Sequence, residues 1–264
     1  MKRVSAEVRR QALAMYAAMV PTATIAKVLS LYPSTVSHWA RAAGVTRPRS
    51  ESCRKYTLDT KFFASIDSEA KAYWLGFLYA DGCVYRQTVR VLLSSTDEGH
   101  LQRLLNCVGS DQPIRSVRCG KHPGALLVVR SCDWVMDLSR HGVCPRKTYT
   151  GQHPTNVPAA LVRHFVRGVF DGDGCVSYSR NQAAVDWTGG EAFLRWLAVQ
   201  ITTEVGLSGH SPRKTASKHA WRLQYAGNRQ AAALRDWMYR DATVWLPRKR
   251  ERFDQPPTSS KTPY

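Results

Sequence analysis

Apolar residues recur at helical spacing over residues 5–19, SAEVRRQALAMYAAM, with Val8, Leu13, Met15, Tyr16 and Met19 mostly on one side. Ser5 is placed to cap this helix. A second short helix fits residues 23–30, LYP makes a turn, and residues 34–44 form a third helix with Ser34 as N-cap and Gly44 as its stop. Ile25, Leu29, Val36 and Trp39 would form the core between the last two helices. The pattern is either a plain three-helix module or a helix-turn-helix, whose second helix enters the DNA major groove. Residues 46–67, opening with TRPRSESCRK, read as a basic linker that either follows phosphates or is a solvated tether.

From residue 68 the pattern repeats. SEAKAYWLGFLYADGCV and ALVRHFVRGVFDGDGCV are both apolar helices that stop at Asp-Gly and continue through Cys-Val into a strand. After the first come strand runs at 83–85 and 88–95, a helix at 97–109, strands at 114–118 and 125–130, and a helix at 132–142. After the second come strands at 175–179 and 183–188, a helix at 190–206, strands at 211–217 and 220–226, and a helix at 228–242. Each half is therefore αββαββα. A period of this size marks a duplicated unit rather than a short-repeat array. The expected fold is α+β: a pseudo-twofold duplicated domain of antiparallel sheets behind a small all-α domain. The boundaries read 1–45, a linker at 46–67, repeats at 68–157 and 158–254, and a disordered tail at 255–264.

Charge narrows the partner. Lys and Arg number 38 against 20 Asp and Glu, a formal net charge of +18. Such a surplus suits a polyanion, with nucleic acid ahead of an anionic membrane. No apolar run reaches the roughly 18 residues of a membrane span, and the N-terminus lacks a signal-peptide core, so a soluble, cytoplasmic protein working at a bacterial or phage nucleoid is expected. The seven cysteines contain no C-x-x-C pair, so reduced thiols are expected rather than a zinc site.

The two Asp-Gly helix ends carry the candidate chemistry. Gly76 and Ala80 stand four apart in one helix, and Gly168 and Gly172 four apart in the other. Residues at that spacing share a helix face, and small ones let two helices meet backbone to backbone. Crossing there would bring Asp81 and Asp173 together, at helix C-termini that already carry partial negative charge. An all-oxygen site of this kind suits Mg²⁺, with Mn²⁺ able to substitute, and the carbonyls of Ala80 and Gly172 could add ligands. Gly82 and Gly174 would allow the sharp exit into each first strand. DGDG at 171–174 opens like a calcium loop but lacks its later acids and closing Glu.

WLGFLYADG (74–82) and VRGVFDGDG (166–174) resemble the nine-residue signature of single-chain, two-repeat LAGLIDADG homing endonucleases. The resemblance covers residues 56–254. It implies saddle-shaped sheets whose concave faces lie along the DNA major groove, metals held by Asp81 and Asp173, and hydrolysis of both strands of a long asymmetric target by a monomer. Tyr79 replaces the signature's first acid in copy one, whereas Asp171 keeps it in copy two. The resemblance also implies a basic residue near the end of each half's last strand. Arg130 fits in copy one, as a catalytic residue, and Arg222 or Gln224 is nearest in copy two. Lys147 and Lys249 match a recurring Lys after each half, near the DNA backbone. The absence of splice-junction residues reads as a free-standing enzyme rather than an intein.

Candidate DNA-binding residues are Ser34, Thr35, His38 and Arg41 on the third helix, with Arg86, Arg90, Arg115, Arg118, Ser179, Asn181, Arg213, Lys214 and Arg222 on the strands and their turns. Two rival functions stay open on the same fold: a transcription regulator that binds DNA without cutting it, and an RNA-binding splicing helper.

Overall fold

The computed structural model describes residues 4–45, 55–144, 153–216 and 220–254. The chain divides into two compact units. The smaller comprises the N-terminal residues to Asp59 together with Leu105–Pro113, and the larger holds the rest.

In the small unit, α1 spans Ala6–Ala17, α2 Thr22–Val28 and α3 Pro33–Ala42. The Ser5 hydroxyl accepts from the Val8 amide, capping α1. The cap of α3 lies earlier than the sequence suggests: Tyr32 is the N-cap and Pro33 takes the first turn, so Ser34 sits inside the helix. Pro33 has no amide proton to lose there, which makes it a better start than the serine. Gly44 stops the helix with φ 68°. The core is Ala12, Tyr16, Ile25, Val36 and Ala40, with Leu29 and Trp39 at its margin. Met19 falls outside α1, at φ 65° and half exposed.

The large unit contains the two repeats, apart from Leu105–Pro113 of the first. In the first, α4 (Glu69–Asp81) leads to β1 (Gly82–Tyr85) and β2 (Thr88–Ser94). Then follow α5 (Glu98–Cys107), β3 (Arg115–Cys119), β4 (His122–Arg130) and α6 (Cys132–Arg140). In the second, α7 (Val162–Asp173) leads to β5 (Cys175–Ser179) and β6 (Gln182–Gly189). Then follow α8 (Glu191–Val205), β7 (Arg213–Lys214), β8 (Trp221–Ala226) and α9 (Asn228–Tyr239). Both sheets are antiparallel and four-stranded, in the orders β1-β2-β4-β3 and β5-β6-β8-β7. The duplicated α+β architecture is the one the repeat predicts.

Three features differ from the sequence reading. Phe62, Phe63 and Ile66, within the expected linker, are buried in the large unit, and Phe63 meets Trp134 edge to face at 5.0 Å. The strand expected at 211–217 shortens to Arg213–Lys214. An additional helix, α10 (Pro247–Asp254), follows the second repeat. It carries no buried residue of its own, and part of what holds it is its backbone: the Tyr178 hydroxyl donates to the carbonyls of Arg252 and Phe253. The expected disordered tail lies outside the described residues. The six described cysteines are free thiols. No helix among the described residues is long and apolar enough to cross a membrane.

Candidate catalytic and nucleic-acid site

α4 and α7 meet backbone to backbone. A Cβ on Gly76 would overlap the Phe165 carbonyl, and one on Gly168 would overlap the Tyr73 carbonyl and lie 2.7 Å from the Phe77 nitrogen. A Cβ on Gly172 would overlap that of Ala80 and stand 3.2 Å from an Asp81 carboxylate oxygen. The structure thus brings together Gly76, Ala80, Gly168 and Gly172, and it puts the Asp81 carboxylate against the end of the partner helix. Asp81 is partly exposed and Asp173 exposed. Each ends its helix, and the next residue, Gly82 or Gly174, is the C-cap.

Those two glycines serve a purpose other than the one expected. Their backbones are ordinary extended ones, with φ of −74° and −75°. What requires glycine is space: a Cβ on Gly82 would overlap the Leu78 carbonyl, and one on Gly174 the Phe170 ring.

Beside the acids lies Lys249, at the start of α10. Its ammonium donates to the Gly174 carbonyl and, at 3.4 Å, to that of Gly172. Burial lowers its pKa, as does Arg248, while Asp171, Cys175 and Asp81 pull it back up. Two helix C-termini and two carboxylates make a negative site, and a lysine reaching its floor answers part of that charge. Lys249 thus lies against the end of the helix that carries Asp173. Its counterpart Lys147 lies outside the described residues.

The signature's first acid has separate roles in the two copies. Asp171 is fully buried and takes three hydrogen bonds: from the Tyr239 hydroxyl at 2.6 Å, the Tyr73 hydroxyl at 2.8 Å and the Leu246 amide at 2.6 Å. Burial raises its pKa to about 6, against the lowering effect of those donors and Arg167. Tyr79, at the matching place in copy one, packs against Phe193 at 4.8 Å and Phe165 at 5.7 Å. Burial raises its pKa, and Cys144 and Asp173 add to the rise.

Sequence reasoning missed the ion pairs that tie the repeats together. Arg167, wholly buried in α7, reaches Glu69 of α4 at 2.6 Å and donates to the carbonyls of Met238 and Val244. Arg248 binds the buried Asp97 at 2.8 Å. The signal for Arg167 was present: an arginine inside the apolar run HFVRGVF must find partners or stay out of the core.

The sheet registers sort the expected DNA contacts. One face of each sheet packs on helices, and the other is open. Arg90 and Arg115 share the open face of the first sheet, Arg90 opposite Val128 and Arg115 opposite Leu126. Arg118 pairs Pro123 and so has the helix-side parity, because three residues along a strand reverse the face. Lys214, opposite Trp221, likewise has the helix-side parity, whereas Arg213 and Arg222 pair on the open face. Arg222 is bonded to Asp186 at 2.8 Å. Ser179 ends β5 on the open face, and Arg180 and Asn181 form the hairpin turn at φ 48° and 60°. Arg86 occupies the matching turn at φ 51°.

Arg130 is on the open face, but not beside Asp81. It pairs Thr88, which pairs Tyr85, whereas Gly82 pairs Val91 and through it Leu127. Asp81, one residue before Gly82, is level with Leu92 and Leu126, so Arg130 stands four strand positions, about 13 Å, from the level of the acid. In copy two, counting back along β5 puts Asp173 level with Thr188, and through it with Arg222 and Arg213, while Cys175, Asp186 and Gln224 form the next row of the open face.

In the small unit, Ser34, His38 and Arg41 are exposed on α3 and Thr35 is half-buried.

No family model matches the chain, and no curated protein matches it. The architecture is that of solved LAGLIDADG proteins. A point mutant of the meganuclease I-SmaMI superposes with a TM-score of 0.50 at 9% identity, covering 69% of this chain and 89% of that one. The LAGLIDADG homing endonuclease I-GzeII, in complex with its DNA target, gives 0.47 at 10% identity, over 69% and 87%. The N-terminal LAGLIDADG domain of DUF199/WhiA gives 0.47 at 14% identity, over 74% and 94%. At 9% identity the likeness to the I-SmaMI mutant shows the fold alone: a two-sheet LAGLIDADG architecture.

Proposed function

We propose that the chain is a site-specific, double-strand DNA endonuclease that acts as a monomer on a long asymmetric target. The observation that carries this reading is the pair of carboxylates at the C-termini of two helices in backbone contact. Nothing favours placing like charges at two negative helix ends unless a cation joins them.

The residues fit a hard divalent cation such as Mg²⁺ or Mn²⁺. The groups that would hold it are oxygens: the Asp81 and Asp173 carboxylates and the carbonyls of Ala80 and Gly172. A DNA phosphate oxygen would complete the set. When bound, the ion would lower the pKa of a water and offset charge on the phosphate. Lys249 would hold positive charge beside the reacting phosphate. Arg90, Arg115 and Arg213 on the open faces, with Arg86 at a turn, would bind the duplex, and α3 would enter a major groove through Ser34, Thr35, His38 and Arg41.

A second reading has its own observation. Lys249 already donates to the Gly172 carbonyl, an expected metal ligand. An ammonium there could replace the metal and leave a protein that binds DNA without cutting it. Incubating the full chain with a randomised plasmid library separates the two. The nuclease reading expects Mg²⁺-dependent linear product, abolished by Asp81→Asn or Asp173→Asn while DNA binding persists. Binding without cleavage in Mg²⁺ and in Mn²⁺ would favour the second reading, and cutting by the doubly substituted chain would remove the site assignment.

A further inference from the structure

The open faces of the two sheets differ in chemistry at matching places. One row beside the helix end runs Cys83, Arg90, Val128 in the first repeat and Cys175, Asp186, Gln224 in the second. The adjacent row runs Arg115, Leu126, Leu92 in the first and Arg213, Arg222, Thr188 in the second. Three aliphatic side chains thus stand where the other copy has Thr188, Arg222 and Gln224. Leu92 is 44% exposed, and Tyr85, one row further on beside Thr88, is 55% exposed. These side chains are neither core nor covered by a helix.

We propose that the first sheet recognises a thymine-rich half-site through the C5-methyl groups, while the second reads its half-site by hydrogen bonding. In the major groove the thymine methyl is the one apolar base feature, and aliphatic side chains are its natural contacts. Gln224 and Arg213 on the other sheet have the chemistry for adenine and guanine edges. The occupant of the apolar strip is duplex DNA because arginines flank it: Arg115 in the row of Leu92 and Leu126, and Arg90 in the row of Val128. A second copy of the chain would set these arginines against each other. The proposal rests on the reading that DNA lies along the open sheet faces, but not on cleavage.

The test is selection of randomised duplex DNA by the full chain in EDTA, followed by affinity measurement with deoxyuridine replacing thymidine in one half-site at a time. The expected result is one thymine-rich half, with about a fourfold affinity loss for each contacted methyl removed, the worth of one buried methyl group. The other half is indifferent to the replacement. Leu92→Gln should lower thymine preference in the first half, and Thr188→Leu should create methyl dependence in the second. Both positions are exposed, so folding is not at issue. An enriched site with no thymine-rich half, or one indifferent to uracil, overturns this inference while leaving DNA binding intact. No enriched sequence at all overturns both.

Discussion

Asp171 shows how one residue can keep its place in a motif and change its work. Its neighbour two positions on is solvent-facing, yet Asp171 itself is buried and holds Tyr73, Tyr239 and the Leu246 amide. Asp171→Ala would leave two hydroxyls and an amide without an acceptor. The expected cost is about 3 kcal/mol or more, read from denaturant midpoints. His100 donates to the same Tyr73 hydroxyl, whose own proton goes to Asp171. Burial lowers the His100 pKa to about 3 and, with Arg167, that of His164 to about 4. A base with a lowered folded pKa contributes stability above its ordinary value of 6.5 that is lost as pH falls toward the folded value. Asp171, raised to about 6, acts oppositely, contributing stability below 3.8 that is lost as pH rises through 6. The two histidines should dominate between pH 6.5 and 4. Urea midpoints should fall over that range, and less steeply in His100→Phe. An unchanged slope in the variant would reject the assignment.

At the scale of elements, the small residues of α4 and α7 decide the site. Gly76→Val or Gly168→Val places side-chain atoms inside the partner backbone, and either should cost about 3 kcal/mol or more in thermal or denaturant unfolding. Wild-type stability in both variants would mean the helices do not meet there. This crossing was legible in the sequence because sterics and spacing alone specify it. The element sequence of each repeat was legible from the duplicated pattern, but the strand order within each sheet was not, because it depends on pairings that hydrophobic periodicity does not encode. Face assignments were less legible: Arg115 and Arg118 cannot share a face, but only the register shows which of them is open. Helix α10 was invisible because PRKRERFD has no apolar periodicity. Tertiary contacts fix it, through Tyr178 and through Phe253 on Phe170 at 5.4 Å. With that helix hidden, so was the position of Lys249. The ordered segment at Phe62 and Phe63 was missed because two adjacent aromatics among charged residues form no stripe.

For the whole molecule, a net charge of +18 makes nucleic-acid affinity a salt-dependent quantity. Affinity for duplex DNA should fall steeply between 50 and 200 mM salt, about 40- to 150-fold if three or four phosphates are contacted, in a filter-binding or anisotropy titration. A flat response would rule out the arginine-bearing faces as the DNA surface. The two repeats contribute unlike halves to one site, with Asp81 from one and Asp173 and Lys249 from the other. The claim that these halves share a divalent ion is tested most directly by electron paramagnetic resonance of Mn²⁺ titrated into the full chain with its selected duplex. Bound Mn²⁺ in the wild type, displaced by Mg²⁺ and lost in both Asp81→Asn and Asp173→Asn, is the expected result. Mn²⁺ binding that is absent from the wild type, or unchanged in the two variants, would contradict it.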